Sequence, residues 1–284
     1  MTPLIRLAWV VAVLLLAACS SGLNRLKPSS THTLTEGVSY GPLPRHKLDI
    51  YRPARLAPAG GWPVVVFFYG GSWTWGERAQ YQFLGEALAS RGVLTLVADY
   101  RLYPEVRYPD FLSDSAQAVA HGLREAARLG GNPHRVFAMG HSAGAYNAAM
   151  LALDARWLAA TGHSPARLAG WVGLAGPYDF LPIENRDTQV AFRWPDTSPD
   201  SQPINHVTAQ APRTLLLAAT SDSLVDPQRS TVGLGDKLKA AGVPVRVELY
   251  PRVNHVTLLA AMAQPLRWLA PVRAEVLDFL GLPD

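Results

Sequence analysis

The stretch MGHSAGAYNAAML, residues 139–151, places a serine between an apolar run and an alanine-rich run of high helix propensity. Gly140 and Gly144 flank Ser142 two positions to either side, the pattern G-x-S-x-G. A strand that ends at Gly140 and a helix that starts at the serine leave only a tight turn between them. Such a turn strains the serine backbone, and flanking glycines let the neighbouring chain come close. It also aims a helix N-terminus at the hydroxyl, where developing negative charge is favoured.

Outward from that turn the chain alternates. Short apolar runs predict strands at 47–51, 63–69, 93–98, 135–140, 170–175, 214–219 and 245–250. Helical stretches are expected at 81–90, 110–129, 142–153, 229–241 and 266–280, several ending at glycine or proline. From residue 63 onward most strands are continuously apolar, as strands covered on both faces are. The order implies an α/β fold with a mostly parallel central sheet and helices on both faces. One segment breaks the rhythm: residues 176–213 carry six prolines and little periodicity. This Pro-rich insertion precedes the 214–219 strand and is too long for a plain connection; it suits a partial cap over a pocket.

A serine hydroxyl attacks a carbonyl only when a base takes its proton. His255, five residues past the last strand, is placed to do so from a loop. A carboxylate must hold that imidazole, and Asp222 and Asp226 both follow the 214–219 strand, with Asp179 in the insertion a weaker choice. His206 is the rival base, but it precedes the acid in the chain. His141 adjoins the serine and is expected to pack under the turn. No His, Cys, Asp or Glu spacing predicts a metal site, and no cofactor motif occurs.

The order Ser142, Asp222, His255 resembles that of α/β-hydrolases. FFYGGSW (67–73) is similar to the H-G-G-G oxyanion segment of lipases and esterases, with Tyr69 at the histidine and Ser72 at the third glycine, and most of all to the H-G-G-x-W motif of one esterase branch. DYRLYPEVRYPD (99–110) and QPINHV (202–207) resemble further segments of that branch, so the likeness runs from about residue 46 to the C-terminus. The resemblance implies a serine hydrolase acting on small-molecule carboxylic esters. Its D-x-x-V spacing maps the acid to Asp222 ahead of Val225. Backbone donors are expected from Gly70, Gly71 and Ala143, with Ser72 a further candidate, and pocket walls from Trp73 and Tyr146, with Trp75 nearby. Similar sequences around the oxyanion loop occur in kynurenine formamidases, so amide cleavage stands as the alternative. A catalytically silent binding module on the same fold is the reading from another class.

The 284 residues are 49% apolar and 17% charged, which suits one large domain with a full core. Its net charge of +4 is dispersed, with no Lys/Arg run to predict nucleic-acid binding. At the start, Arg6 precedes the apolar residues 7–18, which are too few to span a bilayer and fit a signal peptide over 1–18. Leu16-Ala17-Ala18-Cys19 resembles a bacterial lipobox, implying acylation of Cys19, the single cysteine. The expected mature chain is lipid-anchored in the cell envelope, at the outer membrane facing the periplasm, with plain secretion as the alternative. Residues 19–33 read as a flexible tether to a hydrolase domain over 34–284.

Overall fold

The computed structural model describes residues 22–284. The signal peptide and Cys19 expected at 1–19 lie outside them. Eight strands form one sheet: β1 (His32–Ser39), β2 (Lys47–Pro53), β3 (Trp62–Phe68), β4 (Leu94–Ala98), β5 (Gly131–His141), β6 (Gly170–Leu174), β7 (Thr214–Ala219) and β8 (Val245–Tyr250). Their spatial order is β1-β2-β4-β3-β5-β6-β7-β8. β2 runs antiparallel to β1 and to β4, and every pairing from β4 to β8 is parallel.

The parallel strands are apolar because both sheet faces are covered. Every residue of β3, WPVVVFF, is buried. Its side chains alternate across the sheet: Phe67 packs on Tyr81, and Phe68 meets Tyr100 edge-on. Burying each such ring is worth roughly 1.5–3 kcal/mol relative to leaving it exposed. β8 closes the far edge and is half-buried along its whole length, as an edge strand is. β5 begins four residues before the expected run, because Gly131 already pairs with Trp62 of β3.

Two expectations change. Residues 22–33 are not a free tether: 22–26 are helical, Leu23 is buried, and the Asn24 carboxamide donates to the Ala79 carbonyl and accepts from the Phe83 amide. β1 then starts at His32, pairing with Pro53. This strand is largely polar and half-exposed at the sheet edge, so it lacks the apolar run that marks the others.

Nor is 176–213 without structure. A helix, Arg186–Phe192, is started by the Asn185 side chain accepting from the Thr188 amide, and it buries Ala191 and Phe192. Short 3-10 turns follow at Pro199–Ser201 and Pro203–His206. The insertion folds against the carboxyl ends of the strands, where open α/β sheets present their binding crevices.

Candidate active site

β5 delivers Ser142 to the top of the sheet, and the helix Ala143–Leu153 leaves from it. Ser142 has φ 54° and ψ −123°, a strained conformation for a residue with a side chain. The two glycines make the turn possible. A Cβ on Gly140 would lie 2.1 Å from the Gly144 carbonyl oxygen, and one on Gly144 would lie 2.1 Å from that of Phe68. No side chain fits at either position.

Ser142 Oγ lies 2.8 Å from His255 Nε2, and His255 Nδ1 lies 2.7 Å from Asp222 Oδ2. A carboxylate accepts only, so Nδ1 carries the hydrogen and Nε2 is free to accept from the serine hydroxyl. Burial pushes the Asp222 carboxyl up, but the hydrogen bond and charge of His255, with the Val225 and Leu224 amides, bring it below the usual value. Those amides reach Asp222 Oδ1 at 3.0 and 2.8 Å. Asp226 is occupied instead by the amides of Gln228 and Arg229 at 2.9 and 3.1 Å. Asp179 pairs with the Arg229 guanidinium at 2.8 Å, tying the insertion to the helical turn Gln228–Val232 that follows β7. His206 lies beside Asp154 and Asp200.

His255 is the first residue of a helix, His255–Ala260, where a loop was expected. Asn254 caps it: its side chain accepts from the Val256 and Thr257 amides, and Thr257 Oγ1 accepts from the Asn254 amide. The spacing N-x-x-T is the sequence signal for this reciprocal cap. His141 Nε2 lies 2.9 Å from the His255 carbonyl oxygen, so it donates, and the imidazole supports the base from below. Burial, then the neighbouring His255, pushes the His141 imidazole down to about 3, so it stays neutral.

The loop after β3 closes the other side. Gly71, Ser72 and Trp73 all have positive φ, 129°, 50° and 59°. Among the described residues the amides of Gly71, Ser72 and Ala143 donate to no protein acceptor. A Cβ on Gly71 would stand 2.2 Å from the Trp75 carbonyl oxygen. Gly70 passes so near the serine that a Cβ there would be 2.8 Å from that of Ser142.

Tyr69 braces this loop. Its hydroxyl donates to Asp99 Oδ1 at 2.9 Å and accepts from Arg45 Nη2 at 3.0 Å. Its carbonyl accepts from the Tyr100 hydroxyl at 2.8 Å, and its ring stacks between Tyr81 and Tyr100. Burial, then the charge of Asp99, pushes the Tyr69 phenol well up, so it remains a donor. Asp99 also accepts from the Arg78 amide at 2.8 Å. The Tyr103 amide bonds the Trp73 carbonyl at 2.8 Å. Segment 99–110 thus holds the loop at both ends, a role invisible without the fold.

These elements enclose a cleft of about 340 Å3 that contains Ser142, His255, Gly70, Gly71 and Ala143. Trp73 forms part of its wall, with Trp75, Tyr81 and Val225, while Phe180 and Ile183 of the insertion face it from above. Tyr146 does not line the cleft. It is fully buried behind Trp73, edge-on at 5.1 Å, with its hydroxyl donating to the Ser201 carbonyl. One helix turn past the serine, its side chain points into the core between the helix and the insertion. Among the described residues no group of His, Cys, Asp and Glu side chains is arranged to hold a metal ion.

Residues 48–238 match the BD-FAE family. The chain is 26% identical to the probable isoprenylcysteine alpha-carbonyl methylesterase ICMEL1 of Arabidopsis thaliana, covering 81% of this chain and 52% of that one. It is 30% identical to the probable carboxylic ester hydrolase LipM of Mycobacterium tuberculosis, covering 80% and 57%. The chain thus spans a little over half the length of these curated relatives. In structure it is similar to a truncated carbohydrate esterase from gut microbiota, with a TM-score of 0.76, 19% identity, and 90% and 98% of the two chains covered. It is also similar to Thermogutta terrifontis esterase 2, with a TM-score of 0.73, 22% identity, and 89% and 96% covered. These likenesses establish an α/β-hydrolase fold.

Proposed function

Because the chain belongs to the BD-FAE family, we propose that it is a serine carboxylic ester hydrolase with Ser142 as nucleophile, His255 as base and Asp222 as its orienting acid. The observation that carries this is the unbroken chain Asp222–His255–Ser142, with bonds of 2.7 and 2.8 Å, opening into a cleft lined by free amides. Ser142 Oγ attacks the ester carbonyl carbon while its proton passes to His255 Nε2. The carbonyl oxygen takes the negative charge, and the Ala143 amide with those of Gly71 and Ser72 stabilises it. Collapse expels the alcohol, which takes the proton from His255, and leaves an acyl-serine. Water, deprotonated by His255, releases the acid and restores the hydroxyl.

The cleft volume and its aromatic wall suit a small or aryl ester with a short acyl group. The family likeness and the names of the relatives support ester hydrolysis. Amide cleavage, such as deformylation of an aryl formamide, is the second reading, since the same machinery expels an amine once His255 protonates it. The test is purified protein lacking residues 1–19, offered aryl esters of graded acyl length, aryl formamides and a fluorophosphonate probe. Labelling lost in Ser142→Ala, with esters cleaved faster than formamides, is the expected result. Absence of labelling in the wild type would sink the hydrolase reading.

The anchor is a separate part of the proposal. The lipobox-like Leu16–Cys19 supports acylation of Cys19 and a place in the cell envelope, at the outer membrane facing the periplasm. Since Leu23, four positions on, is already packed into the domain, an acylated chain would hold that domain close to the bilayer. Radiolabelled fatty acid should enter the wild type and not Cys19→Ala; equal labelling of both would exclude the anchor.

A further inference from the structure

The strained loop at 71–73 needs a restraint beyond the Tyr69 brace, and the nucleophile helix supplies one. Asn147 is fully buried, one turn beyond Ala143 on the helix Ala143–Leu153. Its Oδ1 accepts from Trp73 Nε1 at 3.0 Å, and its Nδ2 donates to Ser115 Oγ at 3.2 Å. Ser115 in turn donates to the Phe111 carbonyl at 2.9 Å. An indole N–H can only donate, so this chain has one consistent direction and fixes how the carboxamide faces. Trp73 is gripped on its faces and edges by Phe111, Tyr146, Phe180 and Phe192. Those rings set the plane of the indole, and the bond to Asn147 sets how far it slides within that plane.

From this we propose that Asn147 is a positioning residue for the oxyanion hole, acting through Trp73; the inference rests on the hydrolase reading above. One helix then carries both halves of the hole. Ala143 offers its own amide from the first turn, and Asn147 holds Trp73, hence the preceding amides of Gly71 and Ser72, in register with it. Donors must sit where the oxyanion forms, and a displacement of about 1 Å can cost on the order of 100-fold in rate. Trp73 also touches Phe180 and Phe192 of the insertion, so the bond fixes the indole as a cleft wall shared by loop and cap.

The experiment compares wild type, Asn147→Leu, Trp73→Phe and the double variant on an aryl acetate and its thionoester, whose sulfur is a larger and weaker acceptor. Expected for Asn147→Leu is a kcat lower by about 10- to 100-fold with KM within about threefold. The preference for the oxoester should shrink, because blunted donors discriminate less, and the pH midpoint of kcat should hold, because His255 and Asp222 are untouched. The double variant should be no slower than Trp73→Phe, as residues acting through one bond are not additive. A kcat of Asn147→Leu within threefold of wild type, an unchanged oxo/thiono ratio, or losses that multiply in the double variant would overturn the role. Should Asn147→Leu fail to fold, Trp73→Phe breaks the same bond from its other end and is judged by the same ratio. A wild type inactive on every ester and unlabelled by the fluorophosphonate probe would overturn the hydrolase reading itself, whereas an active wild type with an unaffected Asn147→Leu overturns this role alone.

Discussion

His141 donates a hydrogen bond from Nε2 to the backbone carbonyl of His255 at 2.9 Å, so the residue beside the serine carries the strand-to-helix corner on which the base sits. This imidazole is buried and neutral, with its value pushed from 6.5 to about 3, by burial first and by His255 second. Between those two values the unfolded chain binds a proton that the folded chain refuses. Stability from this group is therefore full above the unfolded value of 6.5 and is lost as pH falls toward 3.

His141→Gln keeps a donor for the carbonyl and removes the proton site. Its unfolding free energy, measured by urea titration from pH 7 to pH 4, should fall less steeply than that of wild type. The difference in slope should approach that of one proton and amount to a few kcal/mol, on the order of the shift converted at about 1.4 kcal/mol per unit. Parallel curves would show that His141 titrates normally.

Asp222 and Asp226 can be separated by the same isosteric change. Asp222→Asn should lower kcat by about 10⁴-fold, the scale expected when the base is held in the wrong tautomer. Asp226→Asn keeps an oxygen for the Gln228 and Arg229 amides and should leave kcat within about threefold. Steady-state rates on one aryl ester suffice, and the reverse ranking would reassign the acid.

Tyr69→Phe deletes the hydroxyl between Asp99 and Arg45 while keeping the stacked ring. Charge-assisted hydrogen bonds of this kind are worth about 1.5–3 kcal/mol, so thermal and urea midpoints should drop accordingly. Because the brace ends at the oxyanion loop, kcat should fall by about 10-fold with KM nearly unchanged. A stability loss with full kcat would confine Tyr69 to the core.

Gly144→Ala drives a Cβ to within 2.1 Å of the Phe68 carbonyl oxygen, and neither backbone can retreat without parting β3 from the nucleophile helix. Destabilisation of about 3 kcal/mol or more is expected, seen as lost soluble yield or a lowered denaturation midpoint. Gly22→Ala, where a Cβ meets nothing within 4 Å, is the neutral comparison. Equal midpoints for the two variants would refute the close approach.

The sequence by itself determined the order of the elements and the candidates for chemistry. A strand buried on both faces must be largely apolar, as β3 is throughout and β7 is from Leu215 onward, and a serine turn between strand and helix demands glycines such as Gly140 and Gly144. Those demands are local, so they are written locally. Edge strand β1 escaped because a half-exposed polar strand has no such signature, and the packing of Leu23 and Asn24 depends on surfaces supplied by residues 79–83. Only the tertiary structure decided which carboxylate faces His255, since Asp222 and Asp226 follow the same strand and differ only in where the turn aims them. It also moved Tyr146 from the cleft into the core and gave Tyr69 its partners Asp99, Arg45 and Tyr100. Hydrogen bonds between residues 24 to 74 positions apart, like Tyr69 to Arg45 or Trp73 to Asn147, leave no periodicity in a sequence. They exist only once the sheet has brought their strands and helices together.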